Sequence, residues 1–273
     1  MTITKERLLS VLLYGYSGAG KTATAVSAGW DWTNLCSVRN LLWVTFGRED
    51  NPALRVPEEM RVRLTSPTLD STKFITDFEA LMKKVWKENH DAVKAGKPRP
   101  TEVLVIDGLS EFDLLFELVF KNKQGTDDKF AMWNALLDKF FSIMQMADPN
   151  ELLCHVIVTA RVTEKKEEKK GRGGVITEGD PDFITTDYMP SVRGSFREHF
   201  PHYFNLVLYI ERDVVPAKVG GVQTLVNVHR VRMVPERKFL VKNHWEHVWP
   251  VNKAVFDNPT FDDILDTIKE ISK

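Results

Sequence analysis

Apolar positions along the chain fall into short continuous runs separated by stretches where they recur at helical spacing. RLLSVLLY at 7–14, LLWVTF at 41–46, VLVI at 103–106 and LLCHVIVTA at 152–160 are strand-length and apolar almost throughout, the pattern of strands buried on both faces. Between 70 and 95, Phe74, Phe78, Leu81, Met82, Val85 and Trp86 share one helical face, and AGKPRP stops that helix before the third run. A further amphipathic helix is expected from Lys129 to Met146, and the small-residue stretch TATAVSAGW after the first run is also helix-compatible. Strands alternating with helices predict an α/β fold with a mostly parallel central sheet flanked by helices.

The pattern changes after Ala160. TEKKEEKKGRGGVITEGDPD has no periodicity, many charges and four glycines, so a mobile loop is expected over about 161–190. FNLVLYIER, VQTLVNVHRVRMV and RKFLVKNHW then read as β segments joined by short turns, an antiparallel extension of the sheet. TFDDILDTIKEI closes this C-terminal part (204–272) as a helix capped by Thr260, with Asp262 and Asp263 in its first turn. The 273 residues contain no internal repeat and read as one domain.

Composition narrows the function classes. The formal net charge is −1, so no overall field draws the protein to nucleic acid or an anionic membrane, and any polyanion site must be local. Cys36 and Cys154 both lie in apolar contexts, the start MTITKERLLS lacks a secretory apolar stretch, and every apolar run falls far short of the ~20 residues of a membrane helix. A cytoplasmic protein with no membrane partner is expected.

The first strand runs directly into Gly15, Tyr16, Ser17, Gly18, Ala19, Gly20, Lys21 and Thr22, which match the phosphate-binding pattern G-x-x-x-x-G-K-[ST]. The glycines let successive amides point at phosphate oxygens, Lys21 is expected on the β- and γ-phosphates, and the Thr22 hydroxyl on Mg²⁺. Asp107 ends the third run, where a carboxylate would complete the Mg²⁺ shell. Hydrolysis also needs a group to position water. Gly108 follows Asp107, so an adjacent acidic pair is missing; Glu49, just past the second strand, is the first candidate, with Asp50 and Glu111 as alternatives. Thr159, ending the fourth run, could sense the γ-phosphate. His244 and His247 have metal-ligand spacing only on a helix, and their segment reads as strand or loop. No guanine-reading N/T-K-x-D motif follows the loop, which favours ATP.

Taken together, the P-loop, strand-end Glu49, Asp107 and the late β segments resemble the RecA superfamily of P-loop ATPases. The layout VIVTAR, long loop, PSVRG, FNLVLYIER, RKFLVKNHW is similar to that of small phage-encoded RecA-like ATPases of single-strand annealing recombination. The resemblance implies an ATP- and Mg²⁺-dependent enzyme assembling as a ring or filament on single-stranded DNA in the host cytoplasm, with a single-strand-binding protein as a possible partner. It implies DNA contacts for Arg161, Lys165, Lys166, Lys169, Lys170 and Arg172, although Glu164, Glu167 and Glu168 interleave with them. It also implies a cation supplied across a subunit interface, for which Lys242 is the candidate ahead of Lys238 and Arg237. A nucleotide or small-molecule kinase and a nucleotide-dependent protein switch remain as alternatives on the same cradle.

Overall fold

A computed structural model describes residues 7–46, 56–64, 72–124, 129–168, 183–192, 200–219, 222–236 and 238–272. Its centre is β1, Ser10–Gly15, buried along its whole length, which is why its sequence is an unbroken apolar run rather than an alternating one. To one side of it lie β7 (His155–Glu168), β6 (Val103–Asp107), β4 (Leu41–Phe46) and β5 (Arg61–Leu64), and to the other lies β9 (Leu206–Val219). All of these pairings are parallel. The late strands β10 (Val222–Arg232) and β12 (Val255–Asp257) add antiparallel pairs beyond β9, and the short β11 (Lys242–Asn243) pairs with the start of β9. The expected α/β architecture with an antiparallel extension is therefore the observed one. A two-stranded ribbon, β2 (Trp30–Asp31) with β3 (Cys36–Ser37), stands apart from the main sheet.

Helices cover the sheet. α1 (Lys21–Val26) follows β1, α2 (Lys73–Lys94) precedes β6, α3 (Leu109–Gln124) and α4 (Lys129–Met146) follow it, α5 (Pro149–Leu152) leads into β7, and α6 (Phe261–Ile271) ends the chain. The helix after β1 is six residues long, shorter than the stretch TATAVSAGW suggested. The buried Asn89 ties α2 to its neighbours: its amide donates to the carbonyls of Thr101 (2.8 Å) and Leu152 (2.7 Å) and accepts from Thr101 N–H (3.0 Å). These bonds satisfy groups that would otherwise be costly to bury. Thr260 and Asp263 form the capping box expected at α6, and the Phe261 amide donates to Ser27 Oγ at 3.0 Å, seating this helix behind α1.

At 161–168 and 183–190 the structure departs from the mobile loop expected over about 161–190, and residues 169–182 lie outside the described residues. β7 continues to Glu168 and pairs antiparallel with β8, Phe183–Pro190, in a hairpin with a register shift between Lys165 and Lys166. Leu152 closes α5 instead of opening the strand, because Asp148 caps Asn150 and Glu151 and Pro149 occupies the first turn. Among the described residues of the RKFLVKNHW stretch, only Lys242 and Asn243 are strand. Among the described residues no helix is long and apolar enough to cross a membrane.

Candidate nucleotide site

β1 sits where the strand order reverses, since β7 and β9 flank it, and the carboxyl ends of parallel strands open a crevice at such a point. The loop leaving β1 fills this crevice. Its first glycine is fixed by packing: a Cβ on Gly15 would lie 2.0 Å from the Ile210 carbonyl oxygen of β9. Gly20 has φ of +93°, and a Cβ there would come within 2.8 Å of the His229 ring, so a side chain is excluded on both grounds. The loop turns through an Ala19 N–H to Tyr16 O bond of 3.2 Å, and Lys21 Nζ donates to the carbonyls of Gly15 (3.0 Å) and Tyr16 (2.7 Å).

Asp107 ends β6, two strands from β1, and Thr159 of the intervening β7 bridges the gap. The Thr159 hydroxyl donates to Asp107 Oδ1 at 2.5 Å and accepts from the Gly108 amide at 3.0 Å. Thr22 Oγ1 donates to the same carboxylate at 2.9 Å, and Trp43 Nε1 of β4 donates to Oδ2 at 3.3 Å. Burial pushes the Asp107 pKa up, opposed by the bonds from Thr159, Thr22 and Trp43 and by the charge of Lys21. A desolvated carboxylate and a hydroxyl in mutual contact are a hard-oxygen set that suits Mg²⁺, and a dication there would compensate the anion's lost hydration. Thr22 and Asp107 would hold it, and when bound it would neutralise charge on the phosphates.

A cavity of about 310 Å³ joins these residues to Ser17, Gly18, Glu111, Arg161 and His229. Glu111, one turn into α3, is largely buried, lies over Gly108 and is ion-paired with Arg161. Arg161, level with Gly15 in the sheet, thus stands at the cavity, paired with an acid, and not on the outer hairpin. Lys165 is exposed on β7, with its amine 3.9 Å from Asp187 of β8. Lys166 belongs to the same strand, while Lys169, Lys170 and Arg172, together with Glu49, Asp50 and Arg237, lie outside the described residues. Lys238 Nζ is not placed at the cavity; its carbonyl accepts from the Tyr188 amide at 2.6 Å. Lys242 lies level with Val207 and Leu12, below the loop; its amine donates to the Pro201 carbonyl at 3.1 Å and its pKa is lowered by desolvation.

Two residues at the site were not singled out from sequence. Trp43 is one residue of the apolar run LLWVTF, and only the adjacency of β4 to β6 brings its N–H to Asp107. His229 sits in the alternating run VNVHRVR, where nothing but its polarity at a strand position marks it, yet its Nδ1 meets the Ala19 carbonyl at 2.9 Å. Tyr16 hydrogen-bonds the Glu164 carboxylate and meets Tyr188 edge-on at 6.4 Å, so the loop and the β7–β8 hairpin touch. Burial and Glu164 raise the Tyr16 pKa, which keeps the phenol a hydrogen-bond donor.

A family model described as an AAA domain matches residues 7–248, which include the loop, Asp107, Thr159 and strands β8 to β11. A search of curated proteins finds no match.

Proposed function

Because the chain belongs to the AAA domain family, we propose that it is a Mg²⁺-dependent ATPase of RecA type whose hydrolysis is coupled to single-stranded DNA. The observation that carries the enzymatic reading is the convergence of Thr22, Asp107 and Thr159 within hydrogen-bond distance at the head of the cavity beside Lys21. In this reading the loop amides and Lys21 bind the β- and γ-phosphates, and Thr22 and Asp107 hold Mg²⁺. Glu111 orients water toward the γ-phosphorus and takes its proton as the P–O bond to the β-phosphate breaks, giving ADP and phosphate. Asp107 already accepts three hydrogen bonds, whereas Glu111 faces the same cavity from a neighbouring helix. Arg161, paired with Glu111, would register the charge of the γ-phosphate. Glu49, the first candidate in the sequence, lies outside the described residues and is the other candidate base.

DNA coupling rests on the β7–β8 hairpin, which springs from the strand carrying Thr159 and Arg161, presents the exposed Lys165 and touches the loop through Tyr16. Annealing or strand pairing, assembly as a ring or filament and a Lys242 finger in trans extend the same reading. Lys242→Ala in mixed assemblies tests the finger, and activity linear in the wild-type fraction counts against it.

The deciding experiment is Mg²⁺-dependent ATP hydrolysis with and without single-stranded DNA at two salt concentrations. Stimulation that fades with salt is expected, with Lys21→Ala abolishing turnover and Glu111→Gln abolishing turnover while retaining ATP binding. ATP binding with no DNA effect would instead favour a kinase or a protein-partner switch.

A further inference from the structure

β1 ends at Gly15, level with Ile210, but β9 runs on to Val219 and pairs with β10 as far as Val222. The β9–β10 hairpin therefore stands beside and above the phosphate loop. Residues opposite one another in an antiparallel ladder share a face, so His229 with Arg212 and Asn227 with Val214 form one continuous surface. His229 is the member that lines the cavity, and its strand β10 lies on the other side of β1 from β7, which carries Arg161, and from β6, which leads to Glu111.

This surface is held in place. The Ala19 carbonyl can only accept, so His229 Nδ1 carries the proton in the 2.9 Å bond, and in that Nδ1–H tautomer Nε2 is an acceptor. The His229 amide donates to Asn258 Oδ1 at 2.8 Å, fixing the strand beneath the ring. Next to it, Arg212 Nε donates to Asn227 Oδ1 at 2.9 Å, which orients the planar guanidinium, and Val214 is 52% exposed beyond them.

On the nucleotide reading above, the γ-phosphate lies toward Asp107 and Glu111, so the rest of the nucleotide must leave the cradle at the opposite end, where His229 stands. We propose that the His229, Arg212, Asn227 and Val214 face of the β9–β10 hairpin is the platform on which the base of the bound nucleotide packs. An imidazole, an oriented guanidinium and an exposed aliphatic side chain supply flat and apolar contact to the base, and His229 Nε2 accepts a hydrogen bond from the ribose or the exocyclic amine. The inference depends on nucleotide binding at the loop but not on hydrolysis or DNA.

The test is calorimetric titration of the full chain, in Mg²⁺, with ATP and with inorganic tripolyphosphate, which has the phosphates and no base. The wild-type protein is expected to bind ATP more tightly than tripolyphosphate. His229→Ala and Arg212→Ala should each weaken ATP about tenfold, a usual cost for losing one stacking partner, and leave tripolyphosphate within about twofold. Equal affinity of the wild type for both ligands overturns the platform and leaves the loop's phosphate binding standing. An equal loss for both ligands in His229→Ala means that the ring only shapes the loop, and ATP affinity unchanged in Arg212→Ala overturns the proposal as well. A wild type that binds neither ligand removes the nucleotide reading together with the platform.

Discussion

Ionising a carboxylate in a desolvated niche costs free energy that hydrogen bonds offset only in part, and Asp107 shows this balance: three donors surround it, yet burial still raises its pKa. A carboxyl whose pKa is raised in the folded state binds its proton more tightly there than in the unfolded chain. Its contribution to stability is therefore present at low pH and is lost as pH rises through the raised value. Asn at this position keeps an acceptor for Thr159 and carries no charge. In the absence of Mg²⁺ and nucleotide, Asp107→Asn should match wild type in melting temperature near about pH 4 and exceed it at about pH 7. With Mg·ATP the order should reverse, because a ligand at a hundred times its Kd stabilises wild type by about 2.7 kcal/mol, and the variant lacks the carboxylate proposed to hold Mg²⁺. Parallel melting curves across pH would show that Asp107 is not strained by burial. Asp107 was legible from sequence because it ends an apolar run and β6 with it; Thr159 follows the apolar run VIV but does not end its strand, since β7 continues to Glu168. His229 and Trp43 were not legible, since each reaches the site only through strand adjacency that no local pattern encodes.

Elements whose two faces differ were the easiest to read. α2 and α6 have one apolar face each, and α6 also announces its start by Thr260 and Asp263, whose capping box forms as the spacing requires. Strands buried on both faces, such as β1 and β6, were equally plain as continuous apolar runs. The β7–β8 hairpin was misread because it leaves the sheet, so that its strand carries TEKKEE in place of an alternating or apolar run, and the period that marks a strand disappears. Cross-strand pairing supplies what the pattern lacks, with Glu164 opposite Tyr188 and Lys165 opposite Asp187. The α6 cap also bears on the site, because this helix holds Ser27 through the Phe261 amide and Arg39 through a 2.5 Å ion pair with Asp262, directly behind α1. Thr260→Ala should cost about 1 kcal/mol in denaturant unfolding, the usual worth of such a cap. No loss of stability would mean that packing of Phe261, Ile264 and Ile268 alone seats the helix.

Across the whole molecule, the crevice at β1 is bounded by two hairpins that both outrun the parallel sheet. β9–β10 meets the phosphate loop through His229, and β7–β8 meets it through Tyr16, Glu164 and Tyr188. Tyr14, under the loop, adds a 3.0 Å bond from its hydroxyl to the Tyr188 carbonyl, and Tyr188 stacks on Phe239 at 5.0 Å. These packed rings and hydrogen bonds form a contiguous route by which a change in the loop would reach β8. The groove of Met82, Trp86, Met146 and Leu152, at the α2, α4 and α5 side, has no such contact with the loop among the described residues. Hydrogen exchange with and without Mg·ATP should separate the two regions. Slower exchange is expected in the loop and in the stem at 162–168 and 183–190, with the backbone around the groove unchanged. Tyr16→Phe should keep the slowing in the loop and reduce it in the stem, because it removes only the bond to Glu164. Protection confined to the loop in the wild type would mean that the hairpin is docked beside the nucleotide site without responding to it, and a DNA surface on that hairpin would then have no route to the phosphates.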